Sequence, residues 1–250
     1  MKLFGQVVIN PDSAESTNLL ALKLIETGEA VNGMAIITGH QTAGKGYGTN
    51  RWESEPGKNL TVSFIYQPAG IRAADQFYLN KAVSLAVSDL LYFTGLPGSP
   101  DIFIKWPNDA YIGDRKVGGI LISHIISGEM IECSVIGIGL NINQIQFSED
   151  IPNPVSFKAI TGFDYNIDEV FRHLCQRLDH RMEQFQNHEF DKIQSGYLHN
   201  LYKLNIPGWF SAGNHPFEAI IRGVDPFGRL ITEVDGEIRE FAFKEIEYLL

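Results

Sequence analysis

Five short stretches of this chain hold the side chains and glycines that could bind and polarise a substrate. The first runs Gly39-His40-Gln41-Thr42-Ala43-Gly44-Lys45-Gly46-Tyr47-Gly48, four glycines in ten residues with a lysine and a tyrosine among them. It nearly matches the phosphate loop G-x-x-x-x-G-K-[ST], but Gly46 stands where the magnesium-binding hydroxyl belongs. It nearly matches G-x-G-x-x-G as well, with Thr49 at the last glycine position, and a helix-forming pattern follows neither. What remains is a backbone that can approach an anion and turn its N–H groups toward it, although a plain surface loop has the same composition.

The second stretch, Lys105-Trp106-Pro107-Asn108-Asp109, follows the apolar run 102–104 directly and offers a cation, an aromatic ring, an amide and a carboxylate around a rigid turn. An ordinary Pro-Asn-Asp turn with Trp106 packed in the core is the competing reading. In Asp114-Arg115-Lys116-Val117-Gly118-Gly119-Ile120 a lysine enters a buried-looking strand with two glycines behind it, while Asp114 and Arg115 read as a solvated hairpin turn. Glycines inside the apolar run Ile136-Gly137-Ile138-Gly139-Leu140-Asn141 suggest close approach by a ligand or another backbone. Ser16-Thr17-Asn18 also reads as a plain helix cap. The seven histidines are scattered, without H-E-x-x-H or paired metal spacing, and no G-x-S-x-G elbow occurs, so metalloenzyme and hydrolase readings have little support.

Around these stretches the chain reads as an α+β fold. A helix is expected over 19–26, ending at Gly28, and strands over 34–38 and 60–66. Tyr78, Leu79, Ala82, Val83, Ala86, Val87, Leu90 and Leu91 form a helical stripe closed by Gly95. Strands are expected over 102–104, 117–126 and 130–140, with Ser127-Gly128-Glu129 as a hairpin turn. After a polar loop at 144–154, Asn166 and Glu169 form a capping pair for a long helix along Val170, Phe171, Leu174, Leu178, Met182 and Phe185. Ile206-Pro207-Gly208 marks a boundary between residues 1–205 and a β-meander over 206–250, expected to close into a partial barrel.

The 250 residues suffice for one domain with an appendage, and a 44% hydrophobic content suffices for a core. A formal net charge of -10 argues against broad nucleic-acid binding. No apolar run reaches membrane-span length, and the first residues lack a signal peptide's cleavage site. Two cysteines, Cys133 and Cys175, make no disulfide framework and fit a reducing cytoplasm.

Taken in order, Ser16-Thr17-Asn18, Gln41-Thr42-Ala43-Gly44-Lys45-Gly46, Lys105-Trp106-Pro107-Asn108-Asp109, Arg115-Lys116-Val117-Gly118-Gly119-Ile120-Leu121 and Gly137-Ile138-Gly139-Leu140-Asn141 resemble the biotin–protein ligase family. The resemblance covers about residues 10–160 closely and the remainder loosely; each motif alone is weak, five in register are strong. It implies a mixed β-sheet with flanking helices, the class II synthetase-like catalytic domain, followed by a small C-terminal SH3-like β-barrel. It also implies a two-step reaction. Biotin is activated by ATP to biotinyl-5′-AMP, with magnesium, and the biotinyl group then passes to a lysine of a biotin carboxyl carrier protein or a carboxylase's acceptor domain.

Carried over by position, Ser16, Thr17, Asn18 and Gln41 would border biotin. Gly44, Lys45, Gly46 and Tyr47 would close over biotin and the adenylate, and Gly119 and Gly139 would leave room along the biotin wall. Lys116 would be the catalytic cation, touching both biotin and the α-phosphate. Trp106, Asn108 and Asn141 would face the nucleotide, with Asp109 orienting Lys116 or helping to hold magnesium, whose ligands are otherwise unassigned. The family often has G-R-G-R in the loop; here Lys45 keeps the charge without the planar fork, and Tyr47 loses it. Some members carry an N-terminal winged helix; with Ser16 opening the catalytic region, no nucleic-acid partner and no membrane association are expected. Oligomeric state is left open, a homodimer included. The rivals are a lipoate–protein ligase and a non-catalytic biotin- or nucleotide-binding module.

Overall fold

The computed structural model describes residues 2–48, 50–94 and 101–249; Thr49 and Gly95, both used in the sequence reading, lie outside these. Seven strands make the main sheet: β1 (Val8–Ile9), β2 (Ala35–Ile37), β3 (Leu60–Tyr66), β4 (Ile102–Lys105), β5 (Asp109–Ile112), β6 (Arg115–Ser127) and β7 (Met130–Leu140). They lie in the order β1-β2-β3-β7-β6-β5-β4. β1 and β2 pair in parallel and the other neighbours antiparallel. The helices are α1 (Thr17–Glu26), α2 (Gln76–Phe93), α3 (Phe157–Thr161), α4 (Ile167–Gln186) and α5 (Phe190–His199).

The sheet separates two apolar layers. On one face Leu60, Val62 and Phe64 of β3 and Ile136, Ile138 and Leu140 of β7 pack with α2 and α4 in the main core. On the other, Ile65, Cys133 and Val135 meet Ala21 of α1. The period-2 pattern of β3 is thus correct, yet all seven of its residues are buried, so its Thr61 and Ser63 face is not a solvent face. Asn166 caps α4, its side chain accepting from the N–H groups of Asp168 and Glu169. The expected pairing is therefore half met, since Glu169 takes part through its backbone N–H. Helices α3 and α5 and strand β5 were not foreseen: each is short, and β5 sits inside a motif dominated by turn residues.

The second sheet comprises β8 (Pro207–Ala212), β9 (His215–Val224), β10 (Leu230–Val234), β11 (Glu237–Phe241) and β12 (Glu247–Leu249), in the order β11-β10-β9-β8-β12. It begins at Pro207, and Gly228, between β9 and β10, and Asp235-Gly236, between β10 and β11, turn the chain with positive φ. It does not close into the expected barrel among the described residues: β11 and β12 are its edges, and three-residue β12 pairs with β8. The two sheets share one core, to which Phe210, Ile221 and Leu230 contribute. Among the described residues no helix is long and apolar enough to cross a membrane.

Candidate active site

A cavity of about 450 Å³ opens above the sheet face that carries Thr61, Gly119, Gly137 and Gly139. Its polar end is built on α1. Ser16 is extended but makes no side-chain cap, so the plain-cap reading fails. Gln41 from the glycine loop caps instead, its Oε1 accepting from Thr17 N at 2.8 Å and Thr17 Oγ1 at 3.1 Å. Ser63 Oγ donates to Thr17 Oγ1 at 2.7 Å and also contacts Asn18 Oδ1. Gly137 exists for this packing, because a Cβ there would lie 2.4 Å from Asn18 Oδ1. Gly139 serves likewise for Trp52, whose ring would come within 2.5 Å of an added Cβ. The room foreseen at Gly139 is thus occupied by the Trp52 ring, which itself lines the cavity.

The charged end depends on an irregularity in β6. In its pairing with β5, Asp109 faces Gly119 and Tyr111 faces Lys116, with a register shift between Ala110 and Tyr111. The extra residue, Val117, turns into the core, so Lys116 and Gly119 share a face that strict alternation would deny them. Lys116 Nζ therefore meets Asp109 Oδ1 at 2.7 Å. A Cβ on Gly119 would lie 3.4 Å from Asp109 Oδ1 and 3.7 Å from Lys116 Nζ, so glycine leaves open space over the ion pair. The loop after β7 fixes Lys116 further: its N–H donates to Asn153 O at 2.8 Å and its carbonyl accepts from Val155 N at 2.9 Å. Lys105, opposite Asp109 in register, donates to the Tyr111 hydroxyl at 3.2 Å. Burial pulls its pKa below the usual lysine value, opposed by Asp109 and reinforced by Lys116.

Of the residues expected at the site, Ser16, Thr17, Asn18, Gln41, Lys45, Gly46, Tyr47, Trp106, Asn108, Asp109, Lys116, Gly119 and Gly139 line this one cavity. Gly44 and Asn141 do not. Gly44 is glycine because Trp52 O would lie 2.5 Å from its Cβ, a close backbone approach rather than an anion nest. Asn141, expected to face a nucleotide, lies outside the cavity lining; its buried amide donates to Val155 O at 3.1 Å and anchors the following loop. Asn108 lines the wall but donates to Ile120 O, and the Trp106 indole donates to Gly228 O at 2.9 Å, tying the motif to the second sheet.

Sequence reasoning gave no place to Trp52, Phe243 and Tyr248, which line the same cavity, as do Arg51 and the Lys105 of the second motif. Trp52 could have been inferred from the glycine opposite it; Phe243 and Tyr248 carry no local signal, arriving by the second sheet's fold. Lys45, Arg51, Lys105 and Lys116 face the cavity against the carboxylates Asp109 and Glu247, a surplus of cations in a chain of net charge -10. Such a wall suits an anion. Among the described residues no group of three His, Cys, Asp or Glu side chains is assembled to hold a metal.

The comparisons agree with this geometry. The family model described as biotin/lipoate A/B protein ligase family matches residues 11–141. The bifunctional ligase/repressor BirA of Escherichia coli is 29% identical, covering 97% of this chain and 74% of its own. The biotin–[acetyl-CoA-carboxylase] ligase of Paracoccus denitrificans is 29% identical over 87% of this chain and 90% of its own. The biotin protein ligase of Aquifex aeolicus, solved with biotin and ATP, has the same fold, with a TM-score of 0.79, 24% identity and coverage of 98% and 100%. With more than half its length matched and the motifs assembled around one cavity, the chain belongs to the biotin/lipoate A/B protein ligase family.

Proposed function

We propose that this protein is an ATP-dependent biotin–protein ligase, with residues 1–205 as its catalytic unit and 206–250 as a smaller β unit. The observation that carries the reading is the Lys116–Asp109 pair under the open space at Gly119, between a polar end and a cation-rich end of one cavity. A biotin carboxylate oxygen attacks the α-phosphorus of ATP, the bond to pyrophosphate breaks, and biotinyl-5′-AMP forms. Lys116 meets the developing negative charge, and Asp109 holds its ammonium aimed at the space over Gly119. In phosphoryl and adenylyl transfer such positioning and neutralisation provide most of the catalysis. The amine of an acceptor lysine then attacks the acyl carbon, an amide forms and AMP leaves.

Ser16, Thr17, Asn18 and Gln41 would orient the polar head of biotin. Tyr47, from the glycine loop, and Phe243, from the connection between β11 and β12, close the nucleotide end with an edge-on ring contact at 4.2 Å. Magnesium, arriving with the nucleotide, would supply charge neutralisation at its phosphates. The carboxylates in the wall are Glu247 and Asp109, the latter already paired with Lys116, so either would hold the ion only together with phosphate oxygens and water. The acceptor is read as a biotin carboxyl carrier protein and the compartment as the cytoplasm, where the free cysteines Cys133 and Cys175 stay reduced. A lipoate ligase is the less favoured reading, since the Paracoccus denitrificans relative is named for biotin. The test is incubation with ATP, magnesium, an acceptor domain and either biotin or lipoate. A mass gain of one biotinyl group, with pyrophosphate release that needs both biotin and ATP, is expected; gain with lipoate alone would reject the assignment.

A further inference from the structure

Lys105 opens the second of the five motifs, yet the reaction as derived above gives it no task. Its ammonium is half-buried in the cavity wall, and an ammonium has three N–H donors to place. Among the described residues it makes one hydrogen bond, to the Tyr111 hydroxyl, and no ion pair. Two aromatic rings enclose it: Tyr248 at 4.7 Å from ring centroid to Nζ, and Tyr111 at 5.1 Å. Tyr248 comes from β12, the last strand of the second sheet. The rings favour the cation through their negative faces and keep water from its flanks. Asp109, opposite Lys105 in register, is already paired with Lys116. Lys105 is therefore left without a carboxylate of its own, and its remaining donors have the cavity as their outlet.

We propose that Lys105 is a second phosphate-binding cation of this site, and that Tyr248 of the C-terminal sheet is the positioning residue that holds it there. The proposal rests on the ligase reading and adds a division of labour to it. Lys116 stands over Gly119, at the reacting α-phosphate and carboxylate; Lys105, two strands further along the sheet on β4, takes phosphate oxygens of ATP outside the reacting bond. The pKa of Lys105, lowered by burial and by Lys116, rises again when an oxyanion arrives, so nucleotide binding stabilises its charge. This also gives the second sheet a task at the site, since its last strand orders a cation of the main sheet.

The test is titration of the intact protein with ATP, adenosine and biotin, each alone, followed by calorimetry and by thermal shift. Lys105→Met should weaken ATP binding by about tenfold or more, as expected for loss of a charge-assisted contact, and leave adenosine and biotin within about twofold. Lys105→Arg, which keeps the charge, should recover most of the ATP affinity. Tyr248→Leu should weaken ATP severalfold in the wild type and add nothing in the Lys105→Met background. ATP affinity unchanged in a folded Lys105→Met protein, or an equal loss for adenosine, would overturn the proposal. If Lys105→Met does not fold, additive losses from Lys105→Arg and Tyr248→Leu would overturn it equally. Failure of the ligase reading shows separately, as a wild type that releases no pyrophosphate with biotin and ATP.

Discussion

Two residues decide how this site treats the intermediate it makes. Lys116 is paired with Asp109 at 2.7 Å while about a quarter of each side chain stays accessible, so removing the amine leaves a carboxylate that water can reach. Lys116→Ala should therefore fold with nearly native thermal stability. It should lose about 3 kcal/mol or more of transition-state stabilisation, as deletion of other preorganised charge contacts does. Biotin-dependent pyrophosphate release near the wild-type rate would reject this role. Tyr47 replaces an arginine common in such loops, and the structure gives it a ring contact rather than a charge: it is 47% exposed and packs edge-on against Phe243. Aromatic pairs contribute about 0.5–1.5 kcal/mol beyond their buried area, so Phe243→Ala and Tyr47→Ala should each speed adenylate escape about three- to tenfold. The double variant should be no faster than either single one; additive effects in a stopped-flow release assay would separate the two rings.

At the scale of elements, the site depends on places where regular structure is broken or pressed close. The extra residue in β6 puts Lys116 on the cavity face, and glycines in β7 let α1 and Trp52 lie directly on the sheet. Gly137→Ala tests the second device. Its methyl would run into the Asn18 amide, so that side chain must swing away and lose its contact with Ser63. Overpacking of this kind costs about 1–3 kcal/mol. Biotin affinity should fall, while ATP binding, whose cations lie on β4 and β6, should hold. Equal losses of both ligands would mean that the distortion spreads through the whole sheet.

For the molecule as a whole, the junction between the main helices and the second sheet is built around a charge with no exposed surface. Lys81 of α2 is fully buried, donating to Gln194 Oε1 at 2.6 Å and to Asp225 O at 3.3 Å. The rings of Tyr78, Phe77 and Tyr197 surround it. Burial lowers its pKa from 10.5 to about 8, against the pull of Asp225. Between these values the unfolded chain holds a proton that the folded protein has released. Stability from this group therefore rises as pH increases from about 8 toward 10.5, by up to about 3 kcal/mol, and below pH 8 the buried charge weighs against the fold. Lys81→Met should accordingly show its largest advantage over wild type near pH 7, shrinking as pH approaches 10. A melting-temperature difference that does not change with pH would refute it. Burial raises the hydroxyl pKa of Tyr66 to about 12, and its ionisation above pH 10 is common to both proteins, so it cancels in the comparison.

How much of this was legible before folding follows from where the information lies. Five motifs in register were enough to identify the family and the reaction, because glycines, a lysine and a carboxylate at fixed spacing are local properties of the chain. Long elements such as α2, α4, β3 and β7 were equally readable, since each repeats its apolar pattern over several turns or pleats. Asn141 and Gly44 were misplaced because their residue types are the same whether they face a ligand or hold a loop, and partners distant in sequence made the choice. The alternation in β3 gives the strand but not the burial of Thr61 and Ser63, which depends on α1 lying over that face. The cation surplus around the cavity, the aromatic box on Lys105 and the Tyr47–Phe243 contact join residues from opposite ends of the chain. Side-chain chemistry is written residue by residue, whereas distance and burial exist only once the two sheets have closed on one core, and those two quantities determine which charges meet.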